Sequence, residues 1–303
     1  MIDRLMEKIE KMANPTVVGL DPTYEMIPQA IKSEMLEQHG ETTKAVAKMF
    51  LNFNKEIIDQ VCDLVPAVKL QVAMYEQYSI EGFKAYLETI VYAKKKGLVI
   101  IGDIKRGDIA STAEAYAAHL AGVNIEGTRF DLWNEDAVTL NPYMGFDGIK
   151  PFIGPCNEYD KGIFLLVKTS NPSGKEIQDL ISDGRPIYEH VAELVSKWGE
   201  LAMGTKGYSR VAAVVGATYK EQGQELRMKM PHTFFLIPGY GAQGASGDDI
   251  KGYFDRDGRG CIVNSSRGII AAYQKDSKYG EHNFAEAARE AVKAMKMDLG
   301  GIS

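Results

Sequence analysis

The chain has 303 residues, 45% hydrophobic and 25% charged, enough to bury a large core in one or two domains. Its formal charge of −6 at pH 7 argues against a nucleic-acid binder that works through a broad basic surface. The three cysteines, Cys62, Cys156 and Cys261, are far apart and odd in number, which fits reduced thiols in a cytoplasm rather than a disulfide framework.

Residues 1–12 read as a mixed-charge amphipathic helix without an apolar h-region, so no signal peptide is expected, and no stretch approaches the length of a membrane span. Residues 16–20 are an apolar run ending at Asp21-Pro22, a first strand with an acid at its carboxyl tip. From 41 to 64, Val46, Phe50, Phe53, Ile57, Ile58 and Val61 recur at helical spacing, which buries one face. Residues 66–71 form a second strand with Lys69 inside the apolar run. A lysine there is costly to bury unless paired, so a carboxylate is required, and Asp103 on the next strand is the natural partner.

Residues 81–96 make a helix whose final lysines suit the helix dipole, with Gly97 as its stop. The third strand, 98–101, runs into Asp103, Lys105 and Asp108, an odd ending for an apolar strand. Asp103 and Lys105 are two apart and point the same way on an extended backbone, while Arg106-Gly107 lets the chain bend back at Asp108. Carboxylates on both sides favour the charged lysine, which makes Lys105 a candidate proton donor. The plain alternative is a surface salt bridge at a strand end. Catalytic groups of repeated βα chains gather at the carboxyl ends of strands, so the catalytic reading is preferred.

A helix over 111–121 precedes a polar insertion at 124–136, and 137–140 is a fourth strand closed by Asn141-Pro142. Residues 162–168 are the fifth strand, 186–203 a helix, 211–215, 233–237 and 262–264 the last three strands, 283–297 the final helix, and 299–303 a loose tail. The spacing predicts a single-domain (β/α)8 TIM barrel over 1–303, with helical insertions near 28–64 and 124–136. The rival is a doubly wound open sheet. Asp21, Lys69, Asp103, Ser170, Pro238-Gly239 and Arg267 follow the carboxyl ends of different strands; a closed barrel gathers such ends around one mouth, and an open sheet spreads them along an edge.

Residues 239–244 satisfy GxGxxG, but only about sixty residues follow, too few for a nucleotide domain, and the next strand ends in Asn264 rather than an acid. A glycine loop approaching an anion is the better reading, with the Arg267 guanidinium suited to phosphate oxygens. The five histidines lack zinc-ligand spacing, so no metal site is expected.

The run Asp103-Ile104-Lys105-Arg106-Gly107-Asp108-Ile109 followed by Thr112 resembles the DxKxxDI motif of the orotidine 5′-phosphate decarboxylase family. Asp21, Lys69, Ser170-Asn171-Pro172, Pro238-Gly239 with Gln243, and Arg267 match in order, and the long segment before Lys69 resembles the longer bacterial and archaeal branch. The resemblance implies decarboxylation of orotidine 5′-monophosphate to UMP and CO2 with no metal or organic cofactor. It makes Lys69, Asp103, Lys105 and Asp108 an alternating charge network in which Lys105 protonates C6. Asp21 and Lys69 would hold the ribose, Ser170 the pyrimidine, and Gln243 with Arg267 the phosphate, with Asn171, Pro238 and Gly239 among the substrate contacts. Asp108, Ile109 and Thr112 would reach a neighbouring subunit, so a cytoplasmic homodimer is implied, with no nucleic-acid or membrane partner. Two other functions compete: a Mg²⁺-dependent hexulose-phosphate synthase or ketogulonate-phosphate decarboxylase of the same suprafamily, and a non-catalytic phosphate-binding barrel, which would have little use for Lys105 wedged between acids.

Overall fold

The computed structural model describes residues 1–241, 244–275 and 278–300. Eight parallel strands, β1 (Thr16–Gly19), β2 (Ala67–Gln71), β3 (Val99–Arg106), β4 (Ala137–Leu140), β5 (Gly162–Lys168), β6 (Ser209–Val215), β7 (Thr233–Ile237) and β8 (Cys261–Ser265), close into a barrel in chain order. β1 bonds to β2 on one side and β8 on the other, so the single-domain (β/α)8 expectation holds and the open sheet does not. The strands read as continuous apolar runs because both faces are buried.

Period-two alternation divides them. Ala67, Ile101, Ala137, Phe164, Ala212, Phe234 and Ile262 share an inner cluster with Met1 and with Leu5 and Met6 of the first helix, Ile2–Met12. Val68, Ile100, Val138, Leu165, Ala213 and Val263 face the helical layer. Two residues beyond Ala67 and Ile101, the same alternation reaches Lys69 and Asp103, so polar side chains succeed the apolar layer at the mouth.

The 28–64 segment is two helices, Gln29–His39 and Thr43–Val61. The second starts where the Thr42 side chain accepts the Ala45 N–H at 3.2 Å. Its Phe50, Phe53, Ile57, Ile58 and Val61 are buried, each contributing on the order of 2 kcal/mol. Phe53 stacks on Phe284 of the final helix, Phe284–Leu299, at 4.9 Å between ring centroids.

Three expectations need correction. The 124–136 insertion is not helical: Val123–Ile125 and Thr128–Phe130 form an antiparallel hairpin, because Glu126 and Gly127 both take positive φ (50° and 83°), the requirement of a two-residue type I′ turn. β3 does not stop at Ile101 but continues through its charged residues to Arg106. Leu299 is buried against the core rather than part of a loose tail, whose residues 301–303 lie outside the described set. Among the described residues no helix is long and apolar enough to cross a membrane.

Behind β3, Gly102 packs on a buried polar group. The Glu135 carboxylate accepts the Tyr86 hydroxyl through one oxygen, and its other oxygen lies 2.7 Å from His119 Nδ1, whose ring stacks on Trp133 at 4.0 Å. A Cβ at residue 102 would sit 2.2 Å from Glu135 Oε1. Gly102→Ala is expected to lose about 1–3 kcal/mol in urea unfolding through overpacking; wild-type stability in that variant would mean Glu135 can yield.

Candidate active site

Asp103 is the hub of the barrel mouth. Its Oδ2 accepts Lys69 Nζ at 2.9 Å and Gln71 Nε2 at 3.0 Å, and its Oδ1 accepts Lys105 Nζ at 2.5 Å and the Thr139 hydroxyl at 2.8 Å. Lys69 Nζ also lies 3.4 Å from Asp21 Oδ2, just past β1. Asp21 is held from both sides, by the Gln71 N–H at 3.0 Å and the Ser266 hydroxyl at 2.6 Å. Asp21, Lys69, Asp103 and Lys105 therefore alternate in charge, and the carboxylate that buried Lys69 required is Asp103.

The two lysines differ in what they can do. The Lys69 side chain is 5% exposed and Lys105 is 42% exposed, so Lys105 faces the open mouth. Burial works to lower the Lys69 ammonium, but the charges of Asp103 and Asp21 outweigh it and hold the group above its ordinary value. Burial likewise works to raise Asp103, and Lys69 and Lys105 outweigh it, holding that carboxyl well below the usual range.

Asp108 is not brought to Lys105 within one chain. Gly107 packs over the backbone of Asn141, the Asp108 carboxylate accepts the Ile109 N–H at 2.8 Å, and among the described residues no ion pair joins it to Lys105. The lysine is thus flanked by one carboxylate here rather than two. Ile109, 49% exposed, precedes the helix Ala110–Ala121, which carries Thr112 on its exposed surface.

The remaining candidates lie on loops. Ser170 is half-buried past β5, where its carbonyl accepts the Thr218 hydroxyl at 3.3 Å; exposed Asn171 accepts the Thr169 hydroxyl at 2.7 Å. Pro238 and Gly239 follow β7, and the Pro238 carbonyl accepts the Ala217 N–H at 2.9 Å. At the glycine loop the Gly241 and Gly244 amides are spent on the Ala245 and Gly241 carbonyls. Gln243 lies outside the described residues. Arg267 is exposed at the start of the short helix Arg267–Ile270, and its guanidinium has no hydrogen-bond or ion-pair partner among the described residues.

Sequence reasoning missed Gln71, Thr139, Ser266 and Lys168. Gln71 and Thr139 continue the inner alternation of β2 and β4 past its apolar residues, which was the available signal. Lys168 ends a strongly apolar strand, as Lys69 does, and is fully buried, paired with Asp179 and 4.5 Å from the Tyr219 ring centroid. Among the described residues no group of three or more His, Cys, Asp or Glu side chains could hold a metal ion.

A (β/α)8 barrel with two lysines interleaved among carboxylates at its mouth, and an exposed guanidinium after the last strand, has the construction of a barrel enzyme acting on an anionic, phosphorylated substrate. The chain belongs to the orotidine 5′-phosphate decarboxylase / HUMPS family, whose model matches residues 14–281. Relatives named orotidine 5′-phosphate decarboxylase from Rhodopirellula baltica and Petrotoga mobilis are each 43% identical to it, covering 98% and 99% of this chain and 98% of their own lengths. Among solved structures, Leishmania donovani OMP decarboxylase superposes with a TM-score of 0.72 at 29% identity over 98% of both chains. The UMP synthase of the same organism gives 0.75 at 31% identity, over 98% of this chain and 56% of that one.

The charge network makes stability depend on pH in a definite direction. Asp103 is more acidic folded than unfolded, so its contribution is fully present above the ordinary carboxylate pKa of about 3.9 and is lost as pH falls towards its depressed folded value. Lys69 behaves oppositely, contributing fully below about 10.4 and losing that contribution at more alkaline pH. Between pH 7 and pH 3, wild type should lose more unfolding free energy in urea than Asp103→Asn does. Equal losses would remove this linkage.

Proposed function

We propose that the chain decarboxylates orotidine 5′-monophosphate to UMP and CO2, the last step of de novo pyrimidine synthesis, in the cytoplasm and without a metal or organic cofactor. The observation that carries this reading is the Lys105 ammonium, bonded to Asp103 at 2.5 Å and open to the barrel mouth. When the bond from C6 to its carboxyl carbon breaks, CO2 leaves neutral and the electron pair stays on C6. That carbanion is poorly delocalised, so a fixed positive charge beside it lowers the barrier. Lys105 Nζ then gives its proton to C6, and solvent reprotonates the lysine. Asp103, with both oxygens committed, keeps the two lysines in place near the departing carboxylate.

In the same reading Asp21 and Lys69 hold the ribose hydroxyls, Ser170 and Asn171 lie along the pyrimidine, Pro238 and Gly239 shape the pocket wall, and Gln243 with Arg267 holds the phosphate. Gripping a phosphate remote from C6 supplies binding energy for closing loops and excluding water. Asp108, Ile109 and Thr112 act across a homodimer interface; the exposure of Ile109 and the absence of an ion pair between Asp108 and Lys105 in one chain support that role. A Mg²⁺-dependent sugar-phosphate reaction would need Asp103 for the cation, yet both its oxygens are already bound to lysines.

Ultraviolet absorbance of orotidine 5′-monophosphate provides the assay. Turnover should persist in excess EDTA, and Lys105→Ala should abolish it while circular dichroism still shows the folded barrel; near-normal UMP formation by that variant would refute the donor role. Sharing of the site has its own test. Mixing inactive Asp103→Ala and Asp108→Ala subunits should restore activity, since one of the two sites in a mixed dimer is then intact, and no recovery in proven mixed dimers would count against it.

A further inference from the structure

β3 and β4 pair regularly at Ile101↔Ala137 and Gly102↔Val138, lose register, and regain it at Arg106↔Leu140. Asp103, Ile104 and Lys105 are thus set against the single residue Thr139, a wider irregularity than the one extra residue of an ordinary bulge. Inside it Lys105 has φ +46°, the left-handed region, which costs a residue with a Cβ roughly 1–2 kcal/mol. Among the described non-glycine residues with positive φ, Lys105 is the one within a barrel strand; the others sit at helix ends or in loops and turns.

The Thr139 hydroxyl accepts the Lys105 N–H at 3.0 Å, an amide displaced from the ladder by the bulge. The same hydroxyl donates to Asp103 Oδ1 at 2.8 Å, the oxygen that holds the Lys105 ammonium. One atom therefore fixes both ends of Lys105, its main chain directly and its Nζ through the carboxylate. Thr139 is 1% exposed, so solvent has no access with which to replace it.

We infer that Thr139 is a positioning residue for Lys105, stabilising the left-handed bulge and aiming the ammonium. The inference rests on the proposed role of Lys105 in decarboxylation. Thr139→Val keeps the shape and removes both hydrogen bonds; Thr139→Ser keeps the hydroxyl. Thr139→Val should lower kcat about ten- to a hundredfold, the range expected when a buried acceptor and donor lose their partner, with KM for orotidine 5′-monophosphate and affinity for UMP within about threefold. Thr139→Ser should stay within about threefold of wild type in kcat. A residue that only fills space would move Tm without that split between kcat and KM. Unchanged kcat in Thr139→Val, or a loss that Ser does not restore, overturns the inference. If the Val variant fails to fold, Thr139→Ala is read in its place by the same criterion. The failures are separable: an active Lys105→Ala sinks the donor reading, whereas inactive Lys105→Ala beside fully active Thr139→Val sinks the inference alone.

Discussion

Asp103 is buried as an anion only because donors converge on it from three neighbouring strands. Moving a lone carboxylate out of water carries a penalty of several kcal/mol, and attraction to a counter-ion offsets it only when the remaining lone pairs are also satisfied. Here Lys69 and Gln71 come from β2, Lys105 from β3 itself and Thr139 from β4, so both oxygens are filled. The requirement extends around the barrel. Lys69 also faces Asp21 beyond β1, and Asp21 takes the hydroxyl of Ser266 beyond β8. Only closure brings the two ends of the chain's strand order together, so the network and the barrel impose one constraint.

That constraint also separates two lysines of the same chemical type. Lys69 is enclosed between two acids and its proton is held tightly, which suits a fixed charge rather than a donor. Lys105 leans on Asp103 from the open side and keeps access to whatever enters the mouth. Preorganised charge is effective in catalysis because it needs no reorganisation when the reacting centre develops its own. With Asp103 shared between them, neither ammonium can move without leaving a buried carboxylate underbonded.

Much of this was legible in the sequence because burial leaves a mark. Eight apolar runs gave the strands, and a lysine within the second demanded a partner that proved to be Asp103. Where the reading failed, the missing information was local backbone geometry or hydroxyl chemistry. Three-residue strands at 123–125 and 128–130 are too short to display alternation, and the Glu126-Gly127 turn was the only local sign of a hairpin. Charge normally marks a strand end, which in the sequence puts the end of β3 at Ile101, yet Ile104 stays buried between Asp103 and Lys105 and keeps the strand going. Asp108 is three residues from Lys105, but the left-handed lysine and the packing of Gly107 on Asn141 redirect the chain between them. Thr139 was marked only by its place in the inner alternation of β4, and Ser266 carried no signal of its own, since a hydroxyl near a strand end has many ordinary uses.

The site divides into a stiff half and an adaptable one. The charged groups at its centre stand on β2 and β3 or directly beyond β1, cross-linked by short polar contacts and backed by the packed barrel interior. The candidates for gripping substrate, Ser170, Asn171, Pro238, Gly239 and Arg267, follow β5, β7 and β8 on loops or in the first turn of a short helix, with more solvent access and fewer polar ties among the described residues. Strands hold chemistry to sub-ångström tolerance better than loops do, while loops can close around a ligand. Arg267 illustrates the second kind: an exposed guanidinium without a partner among the described residues gains most from an anion that arrives, because it breaks no ion pair to any of them. If the loop residues bind substrate as proposed, affinity can drive closure without disturbing the alignment of Lys105 with Asp103.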